Sequence, residues 1–326
     1  MSNIGHLLER YREHPATAQL VQTLREPRAR VQLAGLTGAQ LAFALAATIS
    51  RPALFIAESK EEAAYLLNDL QGILGEQAVH FFPDSFKRPA FFDDLNPTQI
   101  LQRSETINKV TAPGAVAYVV VTYPEALFEK VVSPDVLAQS RIEVTTGEKL
   151  DMDFAIQILV EYGFERTDFV YEPGQFSIRG GIVDLFSYGN EFPYRIELFD
   201  DEVESIRTFD PLTQLSKQAI GSVRIVPNLN TRFRNDQKVA LFRVLPEGTV
   251  IWVRDFQFLL DRLQYCFEKA ELFASKISAL DTAELREIFR DRAFVYPADV
   301  VDDAREHPLV FLDKPGEGVL AMVENR

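Results

Sequence analysis

Phosphoryl transfer needs a phosphate cradle, a lysine and a metal ligand at fixed spacing, and one stretch of this sequence keeps the spacing without the groups. A G-x-x-x-x-G-K-[ST] loop works because backbone N–H groups cradle the phosphates, the lysine reaches the β/γ-phosphates and the hydroxyl holds Mg²⁺. At the matching place, between a short strand at Arg28–Gly35 and the helical run LAFALAATI, stands Gly35-Leu36-Thr37-Gly38-Ala39-Gln40-Leu41-Ala42. Gly35, Thr37 and Gly38 retain the outline of such a loop, while Gln40, Leu41 and Ala42 replace the second glycine, the lysine and the hydroxyl. Each lost charge-assisted contact is worth about 1.5–3 kcal/mol. The companion strand TVIWVR ends in Arg254-Asp255, where a magnesium-binding strand carries an acidic pair. An arginine there repels the ion, and Asp255 reads as a solvated carboxylate or a helix cap.

No other constellation supplies chemistry. His6, His14, His80 and His307 are scattered without metal-ligand spacing. Neither a Gly-x-Ser-x-Gly elbow nor a Cys/His pairing occurs. The expectation is no catalytic residue, no metal and no cofactor.

The elements around these residues alternate in βα fashion. PALFIA, a helix over Glu61–Leu74, AVHFFP, a helix around Gln99–Val110 and AYVVVTY imply a parallel sheet wrapped by helices. The segment Asp84–Asn96 reads as an ordered loop. From about Arg141 the pattern changes to a short strand, a helix at Asp151–Tyr162 and the stretch Phe176–Phe209, closing on the strand SVRIVP. Apolar residues recur there at every second position (Phe176, Ile178; Tyr194, Ile196, Leu198), the period of a half-buried strand. Gly180-Gly181, Tyr188-Gly189-Asn190 and Asp200-Asp201 punctuate it as turns. The result is an antiparallel meander of about four strands whose polar face carries Arg179, Arg195, Glu197 and Arg207 outward. After Pro227 the βα pattern returns with TVIWVR, helices over Phe256–Ser278 and Thr282–Asp291, and the strand PLVFLD.

Length and composition set outer bounds. The chain has 326 residues, 47% hydrophobic and 25% charged, which fits two or three globular domains. A net charge of −14 argues against nonspecific nucleic-acid binding, which demands clustered Lys and Arg, and favours protein partners. The single cysteine, Cys266, fits a reducing cytoplasm. No apolar run approaches the roughly 20 residues that span a bilayer, and no signal peptide is evident. Ending at Arg326 without an evident structural terminus, the chain reads as a fragment.

The motifs RGGIVDLF and PYRIELFDDEVESIRTFDPLT resemble the second domain of UvrB and of the transcription-repair coupling factors. The resemblance runs through nearly the whole chain, from QLAGLTGAQLA through VVVTYPEALFEKVVSP to ALFRVLPEGTVIWVRDF. UvrB carries an intact GxTGSGKT loop and a DESH acid pair where this chain departs from both. The span from Phe82 to Arg103 is also too short for UvrB's DNA-clamping hairpin. Loss of all three with the meander kept matches the N-terminal UvrB-like part of the coupling factors. In that family an RNA-polymerase-interacting domain and a translocase motor follow.

The resemblance implies an α/β fold: a degenerate P-loop NTPase-like parallel-sheet domain, discontinuous at residues 1–137 and 227–326. Residues 138–226 form an inserted α+β domain that contains the meander and docks on UvrA. It places Arg166 and Arg179 at UvrA-contacting positions, with Ser177 where UvrB has a third arginine. Phe186 and Arg195 are further candidates for the contact, Phe186 as an apolar anchor, although core packing is the favoured fate of that ring. RNA polymerase and double-stranded DNA are implied as partners of other domains of the longer protein. Two alternatives from other classes remain: a divergent UvrB-like nucleotide-dependent repair helicase, and an autoinhibitory structural module.

Overall fold

Strands without a polar face must be covered on both sides, and the runs ALFI, VVVT and VIWV have none. The computed structural model of the chain describes residues 3–112, 114, 117–133, 135–136, 142–188, 190, 192–225, 237–275 and 294–312. The chain divides into two compact units, Met1–Val131 together with Lys238–Arg326, and Val132–Gln237.

In the first unit the strands are β1 (Arg30–Gln32), β2 (Ala53–Ile56), β3 (Val79–Phe81), β4 (Phe86–Arg88), β5 (Phe91–Leu95) and β6 (Val119–Thr122). With strands numbered along the whole chain, the returning segment adds β17 (Val250–Val253) and β18 (Leu309–Phe311). Six of them form a parallel sheet in the order β1-β18-β17-β2-β6-β3. Helices over Ala39–Thr48, Lys60–Leu74, Pro97–Val110 and Phe256–Ala274 link the strands. Ser59 caps the second of these by accepting from the Glu62 N–H, and Glu62 reaches back to the Glu58 N–H at 2.8 Å. The segment expected to be a loop at Asp84–Asn96 closes instead into the β4–β5 hairpin, with Arg88 opposite Phe91 and Ala90 in the left-handed region at the turn.

Charge is buried beside this hairpin. Arg103 donates to the carbonyls of Pro83 (2.7 Å), Ala126 (2.9 Å) and Glu129 (2.7 Å), with its guanidinium over the Phe82 ring. Asp84 accepts from the Tyr123 hydroxyl and from Gln99, and Glu129 accepts from the Ser85 N–H. Burial pushes the Asp84 and Glu129 carboxyls upward. These contacts pin the Pro83–Ser85 turn to the end of β6.

The second unit comprises β8 (Ile142–Thr145), a helix at Met152–Glu161, β9 (Glu165–Arg166), β10 (Gln175–Arg179), β11 (Ile182–Leu185), β12 (Tyr194–Phe199), β13 (Glu202–Phe209), β14 (Ser216–Ile220) and β15 (Ser222–Ile225). β7 (Val131–Val132) and β16 (Lys238–Val239) pair with each other near the bounds of this unit. The meander β10 to β13 extends to a six-stranded sheet, β14-β13-β12-β11-β10-β9, in which β9 alone runs parallel to its neighbour. β8 and β15 form a separate antiparallel pair.

The alternation read from sequence works as expected: Phe176, Val183, Leu185, Ile196 and Ile206 point into one core with Leu159 and Phe164. Gly180, at φ +60°, makes the two-residue β10–β11 turn. Gly181 stands where an added Cβ would lie 2.7 Å from the Leu198 carbonyl oxygen. The expected helix at Thr282–Asp291, Gly189 of the second turn, and the ends of SVRIVP and PLVFLD lie outside the described residues.

Candidate functional site

The period that buries Phe176 turns Ser177 and Arg179 to the opposite face of the sheet. Register then lines up Ser177, Asp184, Arg195 and Arg207 across four strands of that face. Asp184 has no solvent exposure, and two arginines close on it. Arg195 grips both carboxylate oxygens, through Nε at 2.7 Å and Nη2 at 2.8 Å, while Arg179 Nη2 donates at 2.5 Å. Arg195 also lies over the Phe209 ring, 4.7 Å from its centroid, and donates to the Gln214 carbonyl at 3.3 Å. Its bonds to Asp184 hold its proton more firmly than in a free guanidinium. Arg207 pairs with Glu197, whose carboxyl is held below its usual range by bonds from Ser205 and Arg207.

The expected open row of arginines is therefore corrected. The Arg195 side chain is only 16% exposed and is committed to Asp184, so it does not stand outward in water. The Phe186 ring takes the favoured core alternative, buried with Val170 and Phe209 in a small second core rather than displayed as an anchor. Ser177 is buried too, its hydroxyl donating to the Asp168 carbonyl at 2.9 Å. Arg179 remains accessible, with its side chain 39% exposed. Arg166 is exposed on β9 opposite Phe176 and forms no ion pair with any described residue.

Three residues of this face escaped the sequence reading. Asp184 is the central one; its signal was an acidic residue between Val183 and Leu185 inside an apolar strand. Phe169 and Tyr171, both exposed, precede β10. The Arg179 guanidinium lies 4.8 Å from the Phe169 centroid.

The loop at the first unit's sheet has a different character. Gly35 and Gly38 adopt φ of +82° and +52° at the entrance to the Ala39–Thr48 helix. The Gln40 carboxamide oxygen accepts from the Thr37 N–H at 3.1 Å and lies 3.3 Å from the Thr37 hydroxyl. One amide donor that a phosphate could use is thus occupied by the chain itself. Leu41 and Ala42 are buried in the core. Arg254 bonds Glu62 at 3.0 Å, and Asp255 caps its helix by accepting from the Phe258 N–H at 2.9 Å. Beside the loop lies a cavity of 640 Å³ lined by Tyr11, Leu20, Leu36, Gln40 and Ala44 among others. Among the described residues, no group of three His, Cys, Asp or Glu could hold a metal, and no helix is long and apolar enough to cross a membrane.

Residues 142–230 match the family described as UvrB interaction domain. The transcription-repair-coupling factor of Bacillus subtilis is 29% identical over 301 residues, covering 90% of this chain and 25% of that protein. UvrABC system protein B of Nitratidesulfovibrio vulgaris is 30% identical over 226 residues, 65% of this chain and 33% of that protein. The transcription-repair-coupling factor of Myxococcus xanthus is 32% identical over 219 residues, 64% of this chain and 18% of that protein. The chain thus spans about a third or less of the length of these three relatives. The chain is similar to transcription-repair-coupling factors and to UvrB proteins, and its residues 142–230 match the UvrB interaction domain.

Proposed function

We propose that this chain is the UvrB-like module of a transcription-repair coupling factor and recruits UvrA in nucleotide excision repair, with no ATPase activity of its own. The observation that carries this reading is the sheet of the matched domain: Arg179 keeps an accessible part on its polar face and Arg166 is exposed on the edge strand β9, in register with Phe176, while the neighbouring arginines are internally committed. Arginine suits the role, since its planar fork makes paired hydrogen bonds to carboxylates and is common among residues that dominate interfaces.

The loop residues support the absence of hydrolysis. Gln40 fills part of the cradle, Leu41 and Ala42 supply neither charge nor metal ligand, and Arg254 pairs with Glu62. In this reading the docking domain, 138–226, is inserted in a degenerate nucleotide-binding-type domain at 1–137 and 227–326. RNA polymerase and double-stranded DNA are engaged by other parts of a longer cytoplasmic protein.

The test is a pulldown with UvrA of wild-type chain and the double variant Arg166→Glu, Arg179→Ala, the alanine avoiding a second carboxylate beside the buried Asp184. Association should be lost while the thermal melt stays nearly unchanged. Undiminished binding by the double variant refutes the site.

A further inference from the structure

We infer that Arg179 is a preset carboxylate receptor, its guanidinium fixed between the buried Asp184 and the exposed ring of Phe169, and that it takes an acidic side chain of UvrA. The inference rests on the UvrA reading above and adds the residues that position the contact and the chemistry it accepts.

The charge balance identifies the ligand. Asp184 carries one negative charge against two guanidinium groups, Arg179 and Arg195. One positive charge is left over. Arg195 is largely covered, so the surplus reaches solvent through Arg179. Arg179 donates one N–H to Asp184 out of the five that a guanidinium offers. The remaining edge points to an anion, and a planar fork matches a carboxylate.

The support behind this edge is rigid. Phe169 is 47% exposed, yet the loop that carries it is tied down at several points. Thr167 donates from its hydroxyl to the Phe169 carbonyl at 2.8 Å, and Val170 is buried against Phe186 and Phe209. Gln214 Nε2 donates to the Val170 carbonyl at 3.1 Å, and the Gln175 carboxamide accepts the N–H groups of Tyr171 (2.9 Å) and Glu172 (3.0 Å). The Tyr171 ring flanks Phe169, with centroids 6.4 Å apart. An arginine held in place before binding loses less rotamer freedom when the partner arrives. Asp184 and Phe169 act through Arg179 and are positioning residues.

The experiment is a double-mutant cycle on the 326-residue chain, with UvrA affinity read by biolayer interferometry. Arg179→Ala should weaken binding about tenfold and flatten its salt dependence. Phe169→Ala should weaken it about threefold, the scale of an exposed cation–π contact. Asp184→Asn should also weaken it. In an Arg179→Ala background neither substitution should change affinity by more than about twofold.

Full additivity with Arg179→Ala, or no effect of Phe169→Ala in the wild-type background, overturns the inference while leaving UvrA recruitment intact. An unchanged affinity for Arg179→Ala likewise overturns the inference alone, whereas absence of UvrA binding by the unsubstituted chain overturns the recruitment reading on which it rests. Should Asp184→Asn fail to fold, the cycle between Phe169 and Arg179 decides alone, because that ring is exposed.

Discussion

Arg195→Ala and Arg179→Ala should have opposite signatures, although both side chains bond Asp184. Arg195→Ala removes two hydrogen bonds to Asp184, at 2.7 and 2.8 Å, a third to the Gln214 carbonyl at 3.3 Å, and the guanidinium over Phe209. It leaves a carboxylate of no exposure with one bond, from Arg179. Breaking a buried pair by deleting one partner costs about 3–5 kcal/mol, a large share of the ~5–15 kcal/mol that holds an ordinary domain. Arg179→Ala removes a single bond from a side chain 39% exposed. Its cost, screened by solvent, is about 1 kcal/mol or less.

Urea titration separates the two units, because the chain has one tryptophan, Trp252, buried in β17 of the first unit. Its fluorescence reports that unit, and far-ultraviolet circular dichroism reports both. For an m-value near 2 kcal/mol/M, Arg195→Ala should lower the second unit's midpoint by about 2 M and leave the Trp252 transition in place. Arg179→Ala should move neither transition appreciably while weakening UvrA binding. Equal losses for the two variants, or a loss below about 1 kcal/mol for Arg195→Ala, would refute the division into a structural and a receptor arginine.

Burial, with Lys109 nearby, lowers the His80 pKa to about 4 from the ordinary 6.5. The unfolded chain therefore takes up a proton below pH 6.5 that the folded chain refuses until about pH 4. Stability from this group is complete above 6.5 and lost as pH falls toward 4, by about 3 kcal/mol in all. Thermal melts of His80→Gln should fall less steeply across that window than wild type, and identical profiles would count against the assignment. Gly181→Ala drives a Cβ to 2.7 Å from the Leu198 carbonyl oxygen, a backbone atom that cannot rotate away. The expected cost is about 1–3 kcal/mol, read in the same urea titration, and an unchanged midpoint would contradict it. Calorimetry with Mg·ATP should give no saturable heat, since Gln40, Leu41, Ala42 and Arg254 supply neither cradle nor metal site. Saturable binding would restore the nucleotide-dependent reading.

Much of the architecture was legible before any coordinates, because it depends on local spacing. Period two in Phe176–Phe209 implied the meander and its buried face. Alternation of short apolar strands with helices implied the parallel sheet, and of the two readings of Asp255, solvated carboxylate or helix cap, the second is what forms. The β4–β5 hairpin did not show, since its strands are short and its residues resemble loop composition.

The site was only half legible, for a physical reason. Alternation says which face an arginine occupies, but its partner is set by cross-strand register and by loops arriving from far along the chain. Asp184 meets Arg195 at a separation of 11 residues, and Gln214 reaches Val170 across 44. Composition and spacing thus determined a sheet with a charged face and a loop without phosphate-binding groups. Only tertiary packing decided that Arg195 is spent inside the sheet on Asp184 and that Arg179 keeps an edge in solvent.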